Sequence, residues 1–574
     1  MNFAHTDPAL RAVVARWAAP SDRDKLNTLL DRLGADAGGR LDALAATADK
    51  NPPVLQQFDR DGERIDRIAY HPSYQELCRA AYSEYGLSAL SHRGGLHGWD
   101  DVPPHLVKYL ASYVFVQAEF GLACPVSMTD AAARTLRMFG DPDVFGPWID
   151  ALTSTDPDGA MTGAMFMTEP QAGTDIARTE TRAERDGDAW RLTGKKWFAS
   201  NPDADVIVTL ARFPGGDDQS TRGVGMFMVP KVLANGERNS YTIDRLKDKL
   251  GTRSMPSGEV SLTGAYALQV GELDRGFRQM AEMVNTSRLS NAMRSSALMR
   301  RAVRDAVDHT RERVVFGKAL FDQPLMRATL LPLALDAEAA LALVAYSAQC
   351  LQAADAGDDS AGALIRVLTP LAKHYICKRA RVVTGEAMEV RGGNGYIEEW
   401  AHARLVRDAH LGSIWEGSSN VIALDVLRCM RKLGAHHRLA DTMRGVLAGL
   451  GPDCGPGADV LRRRWNDLVA EGDLLVAGDD DTAQAGCARY ANELARAAMA
   501  TLLYDLADFA ITSGSGYRSL LVANAYLSGD TGHLCGAALD HLAAVVDGTD
   551  VVAEAAEAAQ AAAPRSDSAT GVLL

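Results

Sequence analysis

The strongest constraint on the fold of this 574-residue chain is a single block of short strand-like segments. Long helical stretches flank this block on both sides. Between residues 160 and 273 the sequence is rich in Val, Thr, Phe and Met, and segments at 190–193, 205–212, 224–229 and 258–262 alternate with turn residues at hairpin spacing. Such segments predict antiparallel strands. A helix–strand–helix order predicts an α+β protein, mainly α, in which the sheet forms a domain of its own.

The helical stretches predict how the rest of the chain divides. After residue 276, helical periodicity predicts helices at 277–284, 288–313, 324–356 and 360–389, and a further helix follows residue 416. A chain of this length exceeds a single hydrophobic core. We predict these divisions: an N-terminal extension at 1–75, an N-terminal helical domain at 76–159, the β domain at 160–273, a C-terminal helical bundle at 274–434, an additional helical domain at 435–552 and a tail at 553–574.

Charge and cysteine content exclude several classes of protein. A formal net charge of −14 argues against a surface that binds nucleic acid or acidic lipid throughout. The eight cysteines are scattered without a CxxC pair, which excludes zinc-finger spacing and predicts buried thiols in a reducing compartment. The apolar run 330–354 contains Asp336 and Glu338 and therefore predicts a buried helix, not a membrane span. Because no signal-peptide pattern is present, we predict a soluble, cytoplasmic protein.

A single carboxylate stands at the centre of the stretch 410–428. Glu416 lies between the bulky pair Ile414-Trp415 and small residues, and apolar residues at helical spacing follow, so a helix is predicted to begin within 418–420. Backbone N–H groups at a helix start suit an anionic ligand. A carboxylate beside an apolar wall takes up protons more readily near neutral pH, which suits a general base. The alternative is a first-turn glutamate that complements the helix dipole.

Four other stretches are compatible with a ligand site or with ordinary structure. Loop 165–176 is small, hydroxylated and fixed by proline, so its backbone can approach a flat or phosphorylated ligand, or it simply connects strands. Two adjacent aromatic residues within 195–200 can contact the face of a planar ligand ring, or they can pack in the hydrophobic core. The stretch 313–317 ends a long helix with a basic residue and a glycine, which fits a plain C-cap. The stretch 389–396 also ends a helix in glycines, which fits a close backbone approach or a sharp turn. No dinucleotide fingerprint, Walker loop or metal-ligand spacing occurs, so no metal is predicted.

Together these stretches resemble the acyl-CoA dehydrogenase flavoprotein family, in the same order, from about residue 160 to residue 431. Met167-Thr-Glu-Pro-Gln-Ala-Gly-Thr-Asp175 resembles the family's Met-Thr-Glu-x-x-x-Gly-Ser-Asp, and Phe198-Ala-Ser200 resembles its Trp-Ile-Thr strand. Residues 313–317 resemble its Arg-x-x-Phe-Gly, residues 389–393 its Gln-x-x-Gly-Gly, and residues 415–418 its Tyr-Glu-Gly-Thr.

The resemblance implies bound FAD and a role for each matched position. Glu416 is the implied catalytic base, and Arg288 is implied to bind the substrate. The implied cofactor-binding residues are Met165, Met167, Thr168, Gly173, Thr174, Phe198, Ala199, Ser200, Arg313, Phe316, Gln323, Glu389, Gly392, Gly393, Trp415, Gly417, Ser418 and Asn420. The resemblance also implies a homotetramer, an acyl-CoA or related acyl thioester as substrate, and an electron-transferring flavoprotein or oxygen as electron acceptor.

Within that family the chain resembles the AidB-like branch, which is tied to the bacterial response to DNA alkylation. This likeness rests on the extra C-terminal helices and on the stretches 51–53, 245–251, 386–390 and 413–417. Three positions depart from the family pattern: Asn285 replaces an aspartate, Glu389 replaces a glutamine, and Gln323 stands one position early.

Two functions follow as hypotheses. In the first, Glu416 removes the α-proton of an acyl thioester while a hydride leaves the β-carbon for flavin N5. The backbone N–H of Glu416 and a flavin ribityl hydroxyl would polarise the thioester oxygen. In the second, the chain is a DNA-associated flavoprotein with little dehydrogenase turnover. Its C-terminal region is acidic apart from residues 462–464, which disfavours DNA binding.

Overall fold

The computed structural model describes residues 1–529 and 536–559, and the chain divides into two compact units. The first unit comprises Met1–Ala35, Tyr109–Gln117 and Asn291–Leu574, and the second comprises Asp36–Lys108 and Ala118–Ser290. Most of the predicted tail, from residue 560 onward, lies outside the described residues.

The bounds of the helices and strands are as follows. The strands are β1 Val54–Phe58, β2 Arg64–Ala69, β3 Gly163–Phe166, β4 Arg182–Asp186, β5 Ala189–Ser200, β6 Val206–Arg212, β7 Val224–Pro230, β8 Tyr241–Leu246, β9 Ser257–Gln269, β10 Val314–Val315 and β11 Lys318–Ala319. The helices up to the bundle are α1 Pro8–Trp17, α2 Pro20–Ala37, α3 Arg40–Lys50, α4 Pro72–Cys78, α5 His105–Val116, α6 Ala123–Phe139, α7 Pro142–Leu152 and α8 Gly276–Glu312. The later helices are α9 Pro324–Asp355, α10 Asp359–Val390, α11 Gly393–Tyr396, α12 Ala401–Gly412, α13 Ser419–Leu433, α14 Ala435–Ala448, α15 Gly455–Ala477, α16 Asp480–Thr512, α17 Arg518–Gly529, α18 Gly536–Asp540, α19 Leu542–Asp547 and α20 Ala553–Ala558.

The second unit contains a sheet that closes on itself. Strands β4 and β5, β5 and β9, β9 and β7, and β7 and β6 pair antiparallel, and β4 also meets β6. β6 and β7 are apolar along nearly their whole length because both of their faces are buried. The predicted antiparallel β domain is confirmed for these antiparallel pairs, whereas β3 and β4 each pair parallel with β6.

Helix α8 is one 37-residue helix, where the sequence predicted two helices with a break after residue 284. The intervening Asn-Thr-Ser residues are weak helix formers. Thr286 and Ser287 are nevertheless buried, so tertiary packing carries the helix through them. The predicted break is therefore wrong.

The stretch 313–317 forms a hairpin, not the predicted glycine C-cap of a helix. Helix α8 ends at Glu312, and β10 pairs antiparallel with β11 across the two-residue turn Phe316-Gly317. Both turn residues have positive φ, 50° and 84°, as a type I′ hairpin turn requires. The predicted end of the helix at residue 313 is confirmed by the end of α8 at Glu312. Gly317 permits the turn of a strand pair, so its interpretation as the cap of that helix is wrong.

Helix α9 contains the most apolar segment of the first unit. By length and composition alone it could cross a membrane, with a mean hydropathy of 1.7 over its most apolar window, but 78% of that window is buried inside the chain. Glu338 of this helix also forms a buried ion pair with Arg518 of α17, at 2.6 Å. The prediction of a buried helix at 330–354 is confirmed.

Candidate active site

Glu416 lies in the connection between α12 and α13, and its backbone is strained. Its φ is 57° and that of Gly417 is 100°. The left-handed conformation costs a non-glycine residue about 1–2 kcal/mol, and such strain is concentrated at functional sites. α13 begins at Ser419, as the sequence predicted, and has no acidic residue in its first turn. The alternative interpretation of Glu416 as a first-turn residue is therefore wrong.

Arg294 of α8 faces the carboxylate of Glu416. Its NH2 atom lies 3.2 Å from Oε1; the arginine side chain is fully buried, and that of Glu416 is 7% exposed. The guanidinium also lies 4.6 Å from the ring centroid of Trp415, a cation–π distance. The carboxylate of Glu416 therefore adjoins a buried cation, and not only the apolar wall that the sequence predicted.

Side chains from α8 and α10 fix the backbone on both sides of Glu416. Asn291 Nδ2 donates to the carbonyl of Gly412 at 2.8 Å, and Lys373 Nζ donates to the carbonyl of Gly417. His374 Nδ1 lies 3.1 Å from the carbonyl of Ser419. Burial lowers the pKa of His374, so its imidazole is neutral and donates through one nitrogen. The strained turn is thus held by fixed partners on either side.

Cys377 lies next to this turn on α10. Its Sγ accepts a hydrogen bond from Ser295 Oγ at 3.3 Å. Burial raises the pKa of the Cys377 thiol, so the thiol stays protonated at neutral pH and supplies no thiolate nucleophile.

In the second unit, the loop after β3 is anchored by the buried Glu169. Its Oε1 accepts from Lys196 Nζ at 2.7 Å, and its Oε2 accepts from the backbone N–H of Glu180 at 2.7 Å. Burial opposes the ionisation of Glu169, but the Lys196 charge and these hydrogen bonds outweigh it and lower the pKa of Glu169. Glu169 therefore anchors this loop to Lys196 of β5.

The structure brings this loop to the end of β5, where the sequence predicted cofactor contacts. The backbone N–H of Trp197 donates to the carbonyl of Thr168 at 2.8 Å, and Gly173 lies close to the Thr168 side chain. Phe198 is 57% exposed, so it does not belong to a core aromatic pair, and that alternative is wrong for this residue. Of the remaining predicted residues here, Thr174 is exposed, Ala199 is buried, and Met165, Met167 and Ser200 are half-buried.

The other predicted cofactor and substrate residues lie in three further places. The Phe316 side chain is fully exposed at the hairpin tip, and Gln323 Nε2 closes the hairpin by donating to the carbonyl of Val315 at 3.1 Å. Arg288 NH1 donates to Asn285 Oδ1 at 3.2 Å, one turn away on α8. The exposed residues are Arg313 before the hairpin, Glu389 at the end of α10, Gly392 and Gly393 after it, and Ser418 and Asn420 at the start of α13.

Sequence reasoning missed Arg294, Asn291 and Lys373. Arg294 and Asn291 stand in a stretch of α8 rich in Ser, Ala and Met, and a polar residue among small and apolar ones indicates a buried polar group. The sequence does not show which group it meets, because Arg294 and Glu416 are 122 residues apart.

Comparison with known proteins identifies the family. The AidB N-terminal domain model matches residues 1–159, and the middle and C-terminal domain models of acyl-CoA dehydrogenase match residues 164–265 and 274–430. The AidB protein of Escherichia coli (strain K12) is 37% identical over 75% of this chain and 78% of its own length. Acyl-CoA dehydrogenase family member 11 of Caenorhabditis elegans is 33% identical over 74% of this chain and 69% of its own.

A solved structure agrees with this assignment. Caenorhabditis elegans ACDH-11 in complex with C11-CoA superposes with a TM-score of 0.84 at 28% identity, covering 92% of this chain and 91% of that one. The chain therefore belongs to the acyl-CoA dehydrogenase family of flavoproteins. It is an oxidoreductase of that family, and its likeness to AidB extends through the N-terminal domain.

Proposed function

We propose that this protein catalyses FAD-dependent α,β-dehydrogenation of an acyl-CoA or related acyl thioester, with Glu416 as the base. One observation carries the proposal: a nearly buried carboxylate, held in a left-handed turn and faced by Arg294, stands at the family's base position. A structural glutamate needs neither the strained backbone nor the buried cation. Membership of a family that includes a relative solved with C11-CoA supports the substrate class.

The residues of the β domain fit FAD. An exposed aromatic ring at Phe198, the hydroxyls of Thr168 and Thr174, and the side-chain-free Gly173 suit a flat ring system with hydrogen-bonding edges. When bound, FAD supplies the acceptor for the hydride that leaves the β-carbon of the substrate. We propose that these residues hold its ring, and that Ser200 contributes a further hydroxyl.

The chain's own part in the reaction is to accept and hold a proton. Glu416 takes the α-proton on its carboxylate, which Arg294 orients through Oε1. The backbone N–H of Glu416 is proposed to donate to the thioester oxygen, which acidifies that α-proton. Because Lys373 and Asn291 fix the turn, this N–H needs no reorganisation during the reaction.

Substrate oxidation is tested directly by anaerobic bleaching of the flavin. We expect at least one member of a panel of short, branched and long acyl-CoAs to reduce the enzyme-bound flavin, seen as loss of its visible absorbance. Dithionite serves as the control that the bound flavin is reducible. A flavin that dithionite bleaches and no acyl-CoA bleaches would contradict the proposed function.

Replacing Arg294 is expected to slow flavin reduction. In Arg294→Met the Glu416 carboxylate loses the cation that orients it through Oε1, so the reduction rate should fall by up to roughly 10²-fold while the flavin stays bound. Arg294→Lys keeps a positive charge without the planar fork of donors, so its loss should be smaller. Stopped-flow reduction by the best acyl-CoA measures both rates. A wild-type rate in Arg294→Met would show that Arg294 does not position Glu416.

DNA association, the alternative reading of the AidB likeness, stays a prediction. In the arginine run that could contact DNA, Arg462 pairs with Asp459 at 2.6 Å and Arg464 pairs with Glu493. Internal carboxylates thus already neutralise two of its three charges, which weakens this alternative. A gel shift on duplex DNA, titrated with salt, distinguishes it. The electron acceptor, the homotetramer and the cytoplasmic location also stay predictions.

A further inference from the structure

Two histidines and one aspartate converge in the helices that follow the acyl-CoA dehydrogenase domains. His436 and His437 begin α14, and Asp473 lies near the end of α15. From this convergence we propose that His436, His437 and Asp473 bind a divalent transition-metal ion, of which Zn²⁺ is the representative. The proposal concerns a site apart from Glu416 and does not rest on the proposed dehydrogenation.

The distances between the ligand atoms match a metal shell. His436 Nε2 and His437 Nε2 lie 3.0 and 2.8 Å from the same oxygen, Oδ1 of Asp473. All three ligand atoms lie within 4.8 Å of one another. In a tetrahedral zinc site with bonds of about 2.0–2.2 Å, neighbouring ligand atoms are about 3.3 Å apart. The two nitrogen–oxygen separations therefore need to widen by only a few tenths of an ångström for one ion to contact all three atoms.

Helix geometry alone does not produce this arrangement. Consecutive positions on an α-helix point about 100° apart. The rings of His436 and His437 nevertheless lie 4.2 Å apart between centroids and turn the same nitrogen to one carboxylate. Opposite them stands Gly472, where a Cβ atom would lie 2.7 Å from His436 Cδ2. The absence of a side chain at that position lets α15 approach the histidine ring.

The site is open on one side. His436 is buried, whereas the side chains of His437 and Asp473 are 47% and 54% exposed, so an ion can enter and water can complete its coordination. Both Nε2 atoms face Oδ1 of Asp473 as hydrogen-bond donors, so a bound ion takes the place of their N–H protons.

The alternative is a pair of imidazoles that donate hydrogen bonds to a carboxylate without any metal. A metal site predicts that one ion binds per chain and that removal of any ligand weakens binding. A hydrogen-bonded pair of imidazoles without metal predicts neither result. A bound ion would also join α14 to α15 and stabilise the folded chain in proportion to its free concentration.

Metal binding to the full-length protein tests the proposal. The protein is stripped with a chelator and titrated with Zn²⁺ against a chromophoric competitor, and Co²⁺ is used as a probe because its visible absorption reports tetrahedral coordination. We expect one ion per chain. The variants His437→Asn and Asp473→Asn, at exposed positions, should weaken binding by about tenfold or more. Zn²⁺ should raise the melting temperature of the wild type but not of these variants.

A matched control is available in the same chain. His5 is an exposed histidine that faces the carboxylate of Asp31 at 2.6 Å, and it lies outside the cluster of His436, His437 and Asp473. The variant His5→Asn should bind Zn²⁺ as the wild type does. Failure of the wild type to bind Zn²⁺, or equal affinity in the wild type and Asp473→Asn, would overturn the proposal. Equal losses in His5→Asn and His437→Asn would also overturn it, by indicating nonspecific histidine binding.

Discussion

Glu416→Gln is expected to lower the rate of flavin reduction by an active acyl-CoA by roughly 10²–10⁴-fold. Glutamine keeps the size and polarity of the side chain but cannot accept the α-proton. The backbone of the turn, fixed by Lys373 and Asn291, should be unchanged, because both residues bond to backbone carbonyls that the substitution leaves in place. The flavin should therefore stay bound, and the loss should lie in the reduction step. Anaerobic stopped-flow measurement of flavin absorbance gives this rate.

The matched control is Glu386→Gln, the same chemical change at an exposed position on α10. It should reduce its flavin at close to the wild-type rate. The flavin-to-protein ratio, measured for both variants, separates loss of cofactor from loss of chemistry. Undiminished reduction in Glu416→Gln would assign the base to another residue.

Lys196→Met is expected to destabilise the protein by about 3–5 kcal/mol, the usual cost of removing one partner from a buried ion pair. Lys196 and Glu169 have side chains only 0% and 1% exposed, and Lys196 Nζ also donates to the carbonyl of Leu210 at 2.8 Å. Methionine fills the space but leaves the Glu169 carboxylate buried without its cation. Because Glu169 fixes the loop after β3, the variant should also bind less flavin. Denaturant unfolding measures the first effect and the flavin content measures the second.

The same strand provides a comparison for this prediction. Arg191 pairs with Asp186 at 2.7 Å, with side chains 42% and 53% exposed, so Arg191→Met should cost less than about 1 kcal/mol. The double variant Lys196→Met/Glu169→Leu should recover part of the loss, since no charge is then left buried. A Lys196→Met variant as stable as Arg191→Met would contradict the anchoring role of the pair.

The lowered pKa of Glu169 adds a pH dependence with a definite sign. Above its ordinary value of 4.5 the carboxylate is ionised in both the folded and the unfolded chain, and the ion pair contributes fully to stability. As the pH falls below that value, the unfolded chain takes up the proton first, so this contribution is lost progressively. Lys196→Met should show a weaker loss of stability over this acidic range.

Local patterns predicted much of the architecture. The alternation of short apolar segments with turns predicted the β block, and the apolar periodicity after Glu416 placed the start of α13 within one residue of its position. Where a short sequence pattern had two physical interpretations, the sequence alone did not decide which structure forms. A glycine after an arginine and an aromatic residue suits a helix end as well as a hairpin turn, and only the pairing of β10 with β11 decided between them.

The sequence by itself determined the secondary structure of the main elements, the family resemblance and the position of the candidate base, because each depends on residues close together in the chain. Only the tertiary structure decided what surrounds that base. Arg294 faces Glu416 across 122 residues, and Asp473 meets His437 across 36. Such contacts depend on which helix faces pack together and on the side chains buried between them. No local periodicity encodes that packing, so the electrostatics of the candidate active site and the proposed metal site emerge only in the folded chain.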